Sequence, residues 1–222
     1  MTRGIAPTHT ALEAPREPRL KAEERRRRLA EATIASLARN GAQGAGVRQV
    51  CRDLQVAPSL VNHFFDGWND LLVSAYRLLA ERALEEYAEI AELDGAPARL
   101  RLRRLIERNV SPAWLSEDVV GAYVALWDLS RTVPQLKREF TRLHRKRRQI
   151  VARLLAEMAG EPRPSREIEL MAAGLVVFMD GLWLELGLNP GNIPPSRAVQ
   201  MCWLWIADRF PDTGRGRSAG TR

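Results

Sequence analysis

Apolar side chains recur at spacings of three and four along most of this chain, and nowhere do apolar and polar residues alternate long enough to make a strand. Leu29, Ala30, Thr33, Ile34, Leu37 and Ala38 share one face of a helix predicted from Leu20 to Asn40, with charge opposite and Gly41 as its stop. Gly and Pro punctuation then separates segments of helical spacing at 47–54, 58–65, 68–93, 98–110, 117–131, 134–159, 164–187 and 195–210. The pattern predicts an all-α fold of about nine helices with no internal repeat. Pro7, Pro15 and Pro18 among polar residues make 1–18 an expected disordered arm, and DTGRGRSAGTR at 212–222 an expected disordered tail.

At 222 residues the chain is long enough for one domain, or for a small domain joined to a larger one. With 45% hydrophobic and 27% charged residues it matches ordinary globular proteins rather than disordered or fibrous ones. The longest strongly apolar run, Met171 to Met179, ends at Asp180 and is short of a bilayer span, so no membrane segment is expected. The first 20 residues lack the apolar core of an export signal. Cys51 and Cys202 fit no zinc spacing and no disulfide framework. A cytoplasmic protein is expected. The formal charge of +7 admits a nucleic-acid partner, although basic excess is also a common solubilising feature.

The stretch GVRQVCRDLQVAPSLVNHFF at 46–65 narrows the reading. Val47, Val50, Cys51 and Leu54 form one helical stripe, Val56 sits in a tight connection, and Leu60, Val61 and Phe64 form a second stripe on a helix that Pro58 opens. In a helix-turn-helix the second helix enters the major groove, which leaves Ser59, Asn62 and His63 to meet bases and phosphates. Arg48 and Arg52, four apart on the outer face of the first helix, are placed for the phosphate backbone, and Phe64 completes the DNA-binding set. The competing reading is an αα-hairpin inside a larger bundle with solvated arginines.

The longer stretch RRRRLAEATIASLARNGAQGAGVRQVCRDLQVAPSLVNHFFDGWNDLL resembles the DNA-binding domain of TetR-type transcriptional regulators: a long first helix, a Gly-containing loop, the helix-turn-helix, then F-x-x-x-x-x-L-L. AYVALWDLS at 122–130 and FMDGLWLELGL at 178–188 resemble the carboxy-terminal domain of the BetI-like, choline-responsive branch. The resemblance implies a DNA-binding domain at 19–70 and a ligand-binding and dimerisation domain at 71–211. It implies a homodimer on double-stranded DNA that releases a palindromic operator when a small-molecule effector binds. Four positions depart from the family pattern: Gly46 for a capping Thr, Gln55 for a turn Gly, Ala57 for a capping Ser, and Trp68 for a phosphate-binding Lys. A TetR-like dimer with degenerate DNA binding, acting through ligand or protein contacts, is therefore the alternative.

Catalysis finds no support. His9, His63 and His144 are scattered, no H-E-x-x-H, C-x-x-C, G-x-S-x-G or P-loop motif occurs, and no metal site or cofactor is expected. The basic block KREFTRLHRKRR at 137–148 and the run Arg99, Arg101, Arg103, Arg104 and Arg108 are read as solvated faces. Trp114, Trp127, Trp183, Trp203 and Trp205 are read first as core and dimer packing. The sharper reading is an aromatic cage for a quaternary ammonium group, for which the resemblance of 122–130 and 178–188 to the choline-responsive branch implies Tyr123, Trp127 and Trp183, with Asp180 as counter-charge. The segments at 164–187 and 195–210 carry more apolar surface than one partner helix needs; the resemblance implies that they form the dimer interface, for which Leu182 is the test position, and the alternative is a monomer with a large core.

Overall fold

The computed structural model describes residues 16–207, 209 and 210, and its regular structure among them is helical throughout. Nine helices follow in order: α1 Arg16–Gly44, α2 Val47–Leu54, α3 Pro58–Phe64, α4 Trp68–Ala91, α5 Ala98–Asn109, α6 Glu117–Ser130, α7 Pro134–Ala159, α8 Arg166–Leu188 and α9 Pro195–Ala207. Helix α1 begins four residues before the expected Leu20. The rest of the expected arm, 1–15, and the expected tail, 212–222, lie outside the described residues. Gly41 does interrupt α1: its φ of 66° breaks the regular helix where the sequence places a stop. Helix α8 opens two residues late because the Ser165 hydroxyl caps it, accepting from the Ile168 N–H at 3.4 Å.

Three apolar clusters hold the helices together. The smallest joins Leu29 of α1 to Val50 and Cys51 of α2, Val61 of α3, Phe65 at the end of α3 and Leu71 of α4. The second gathers Leu37 of α1, Tyr76 and Leu79 of α4, Ala122 and Leu126 of α6 and Leu136 and Leu143 of α7. The third, at the far end, packs the last turns of α4 with α5, α7, α8 and α9 around Leu105, Val151, Leu175 and Cys202. Trp68 packs against both the first and the second cluster. Thr33, fully buried within the α1 stripe, is satisfied by its own helix, its hydroxyl donating to the Leu29 carbonyl at 2.8 Å.

Two backbone details bear on function. A Cβ added at Gly121 of α6 would stand 3.0 Å from the Ala38 carbonyl oxygen of α1, so the missing side chain sets how closely these helices approach. Helix α2 ends in a Schellman motif, with the Gln55 N–H on the Arg52 carbonyl at 3.1 Å and the Val56 N–H on the Cys51 carbonyl at 3.0 Å. Gln55 holds the left-handed position at φ 55°, where the same motif after α7 has Gly160 at φ 73°. A side chain in this region costs about 1–2 kcal/mol, and glycine gives back about 0.5–1 kcal/mol of that in unfolded-state entropy. Gln55→Gly should therefore raise the thermal midpoint by about 2 °C, read by circular dichroism; a lowered midpoint would show that the Gln55 side chain contributes more than its strain costs.

Helix α8 is long and apolar enough, by length and composition, to cross a membrane, contrary to the reading that stopped at Asp180. In the fold it is a core helix: Ile168, Ala172, Leu175, Val176, Met179, Leu182, Trp183 and Leu186 are buried. Leu182, expected in a dimer interface, lies inside the third cluster instead. The exposed apolar side chains of α8 and α9 are Leu170, Val177, Leu188, Leu204 and Trp205.

Candidate DNA interface and effector site

Arg48, Arg52, Ser59, Asn62 and His63 are all exposed on α2 and α3. Phe64 is half-buried against the first cluster with the His63 ring edge-on at 4.8 Å, so it shapes the helix end more than it faces outward. The second stripe is shifted from the expectation: Val61 and Phe65 are its buried anchors, while Leu60 and Phe64 are half-buried. Arg52 does not project freely. Its guanidinium donates along α2 to Gln49 Oε1, whose amide donates to Asp53 Oδ1 at 2.7 Å, and Asp53 Oδ2 accepts from Arg39 of α1 at 2.7 Å.

A residue the sequence reading missed ties the recognition helix to α1. Arg26 donates to the Phe64 carbonyl at the C-terminal end of α3 and lies 4.5 Å over the Phe65 ring. A cation at a helix C-terminus meets unpaired carbonyls and the negative end of the dipole. Its place in an all-arginine run, exposed throughout, concealed which of Arg25 to Arg28 reaches the end of α3. Helices α2 and α3 start without side-chain caps at Gly46 and Ala57. Trp68 is half-buried, its indole between two clusters rather than extended as a lysine would be.

The second site lies in the carboxy-terminal bundle. A cavity of about 70 Å³ is lined by Tyr123, Trp127, Asp180 and Trp183, the four residues singled out from the sequence, and by side chains of α4, α5 and α7. One water needs about 10–15 Å³ on the same scale, so the space holds on the order of five to seven water-sized groups. Tyr123, Trp127 and Trp183 stand 5.5, 5.8 and 6.5 Å apart in pairs, with interplanar angles of 61 to 76°. The three rings meet edge to face and form one aromatic corner of the cavity wall, and it is the faces of such rings that attract a cation. The Trp183 indole N–H is fixed by the Trp114 carbonyl at 2.7 Å.

Asp180 is not the free counter-charge expected of it. Arg147 donates to Oδ1, and His144 Nδ1 stands 3.8 Å from Oδ2. Arg147 belongs to the block read as a solvated face, as Arg108 belongs to the other such run, and both turn inward instead. Arg108 lies 3.6 Å over the Trp114 ring and donates to Glu86 at 2.7 Å; Arg108 and Arg147 flank Tyr87 at 5.0 and 5.3 Å from its centroid. Arg99, Arg101 and Arg142 of the same two runs are half-buried as well, Arg101 donating to the Ala91 carbonyl and to Glu157, while Arg103, Arg104, Arg145 and Arg148 are exposed; the sequence gives no sign of this, because only the turn of α5 and α7 decides which face is inner.

Burial pushes the Tyr123 hydroxyl well above its usual pKa, so the ring enters the site neutral. Burial also lowers the His144 pKa, against the pull of Asp180, leaving a neutral imidazole at pH 7. Burial disfavours the Arg147 charge, but Tyr87 and Asp180 outweigh it and raise its pKa. For Glu86 burial is likewise outweighed, by hydrogen bonds from Arg108 and Trp114, and its pKa falls.

Helix α4 connects the two sites. It begins at Trp68 beside the DNA-binding helices and carries Tyr76, Ala80, Ala83, Leu84 and Tyr87 into the cavity wall. Helix α6 does the same by another route, holding Tyr123 and Trp127 in the wall while Gly121 presses on α1.

Comparison with known proteins agrees with this layout. Residues 98–211 match the family described as BetI-type transcriptional repressor, C-terminal. The chain is 30% identical over 180 residues to the HTH-type transcriptional regulator BetI of Burkholderia thailandensis, covering 81% of this chain and 90% of that one. It is 28% identical over 175 residues to BetI of Vibrio atlanticus, covering 78% and 86%. Among solved structures, a transcriptional regulator from Pseudomonas aeruginosa PAO1 superposes with a TM-score of 0.77 at 32% identity, covering 88% of this chain and 98% of that one. A regulator from Saccharomonospora viridis in complex with choline shares the fold, with a TM-score of 0.70 at 21% identity, covering 83% and 96%.

Proposed function

We propose, on the premise that this chain belongs to the BetI-type branch of the TetR transcriptional regulators, that its effector is a small quaternary ammonium compound held by Tyr123, Trp127 and Trp183. The chain is a ligand-responsive, DNA-binding regulator, and as a repressor it releases its operator when the ligand binds. The observation that carries the ligand class is the aromatic corner in the cavity wall; the choline held by the Saccharomonospora viridis protein supports it.

In this reading the protein is a cytoplasmic homodimer without catalytic activity, divided near residue 70, with α8 and α9 of each protomer at the interface. Arg48 and Arg52 meet phosphates, and Ser59, Asn62 and His63 read the major groove, with Phe64 supporting the helix behind them. A ligand changes the spacing of the two recognition helices only by binding one spacing better than the other. Helices α4 and α6 carry that difference, since both touch the cavity and the helices that support α2 and α3.

The test is binding to the DNA upstream of the protein's own gene, followed by fluorescence anisotropy at several salt concentrations. Choline should release the wild-type protein, and Trp127→Ala should stay bound at the same choline concentration. If no fragment of that DNA is preferred over scrambled DNA at moderate salt, the degenerate alternative is the correct one.

A further inference from the structure

The cavity holds more than a cation site, and its remaining chemistry is that of an anion site. Among the described residues four buried side-chain nitrogens lack a hydrogen-bond partner, and two of them, Arg108 Nη2 and Arg147 Nε, belong to side chains lining this cavity. The nearby acceptors are already engaged. Glu86 Oε2 accepts from Arg108 Nε and from the Trp114 indole at 2.7 and 2.8 Å. Asn109 Oδ1 accepts from the Tyr87 hydroxyl and from Arg147 Nη2, both at 3.2 Å, while its amide donates to the Met179 carbonyl at 3.1 Å. A buried donor left unmade is costly, so such groups in a cavity wall mark where a ligand's acceptor belongs.

Charge points the same way. Arg108 is balanced by Glu86, Arg147 by Asp180, and His144 is neutral, so no carboxylate is left over to neutralise a bare ammonium ion. A ligand of net charge zero that carries both signs leaves the site balanced and supplies the missing acceptor.

We propose that the effector is a small zwitterion, a quaternary ammonium carboxylate, whose cationic head occupies the Tyr123, Trp127 and Trp183 corner while its carboxylate accepts from Arg108 and Arg147. The proposal rests on the ammonium reading given above and adds the second half of the ligand. Charge-assisted hydrogen bonds from guanidinium to carboxylate are the strongest kind available to the site, and they separate the acid from the alcohol of the same size. The space, on the order of five to seven water-sized groups, suits a head and a carboxylate one methylene apart.

Isothermal titration of the full chain without DNA, using tetramethylammonium, choline and trimethylammonioacetate as probes, tests both levels separately. The carboxylate should bind at least tenfold more tightly than choline. In Arg147→Lys, which keeps the charge and loses the planar fork, that ratio should narrow to less than threefold, and Arg108→Lys gives a second reading should the first variant fold poorly. Choline binding as tightly as the carboxylate to the wild-type chain overturns the proposal, as does a ratio unchanged in both variants; tetramethylammonium binding alongside either result leaves the ammonium reading standing. Absence of tetramethylammonium binding overturns that reading and the proposal with it.

Discussion

Asp in place of Val177 should convert the protein into a folded monomer that no longer holds its operator. Val177 is 68% exposed on α8, on the same face as Leu170 at 75%, and Leu204 of α9 is 68% exposed as well. In the homodimer proposed above, these exposed apolar side chains of α8 and α9 are the surface that the second copy covers. A charge there costs nothing in the free protomer, yet facing its own symmetry mate it is desolvated and repelled. Sedimentation should give a single chain's 25.0 kDa for the variant, with unchanged helical content. Operator binding should fall by orders of magnitude, since two half-sites are no longer held together. Leu182→Asp is the informative contrast: at 6% exposure inside the protomer, it should unfold the chain rather than divide the dimer. A Val177→Asp protein that still sediments as two chains would remove α8 from the interface.

The second large effect is expected at the recognition helix. Asn62→Ala combined with His63→Ala should abolish the preference for operator over scrambled DNA while leaving non-specific binding in place. Each good base contact contributes about 1–3 kcal/mol to discrimination, so losing two costs on the order of a hundredfold or more. Arg48→Ala should behave differently, weakening all sequences alike and flattening the salt dependence by about 0.9 per lost phosphate contact. Anisotropy against operator and scrambled duplexes separates the two classes; retained discrimination in the double variant would place the reading residues elsewhere.

Periodicity made the helices legible because each buries one stripe, while boundaries slipped by two to four residues: α8 opens late at its Ser165 cap, α1 opens early, and α4 and α9 end short of the apolar pattern. The aromatic half of the candidate effector site was legible because Tyr123, Trp127 and Trp183 lie in the two stretches that resemble the BetI-like branch, which separated them from the other tryptophans. Its ionic half was not. Arg108 and Arg147 sit in runs of like residues, and whether one guanidinium turns to solvent or lies over Tyr87 depends on how α5 and α7 are rotated against α4. Arg26 was hidden for the same reason. Asp180 was found and its partner was not, so its role as counter-charge was misjudged.

The approach of Gly121 to the Ala38 carbonyl has a meaning for how such a regulator changes over generations. A single methyl group at that position would oblige α6 and α1 to give way by a few tenths of an ångström with the cavity empty. If α6 relays the ligand as proposed above, the molecule would then carry part of its inducer's effect as a covalent part of its own sequence. A lineage could uncouple from its chemical signal there, in one nucleotide step, without touching either the residues that read DNA or those that surround the ligand.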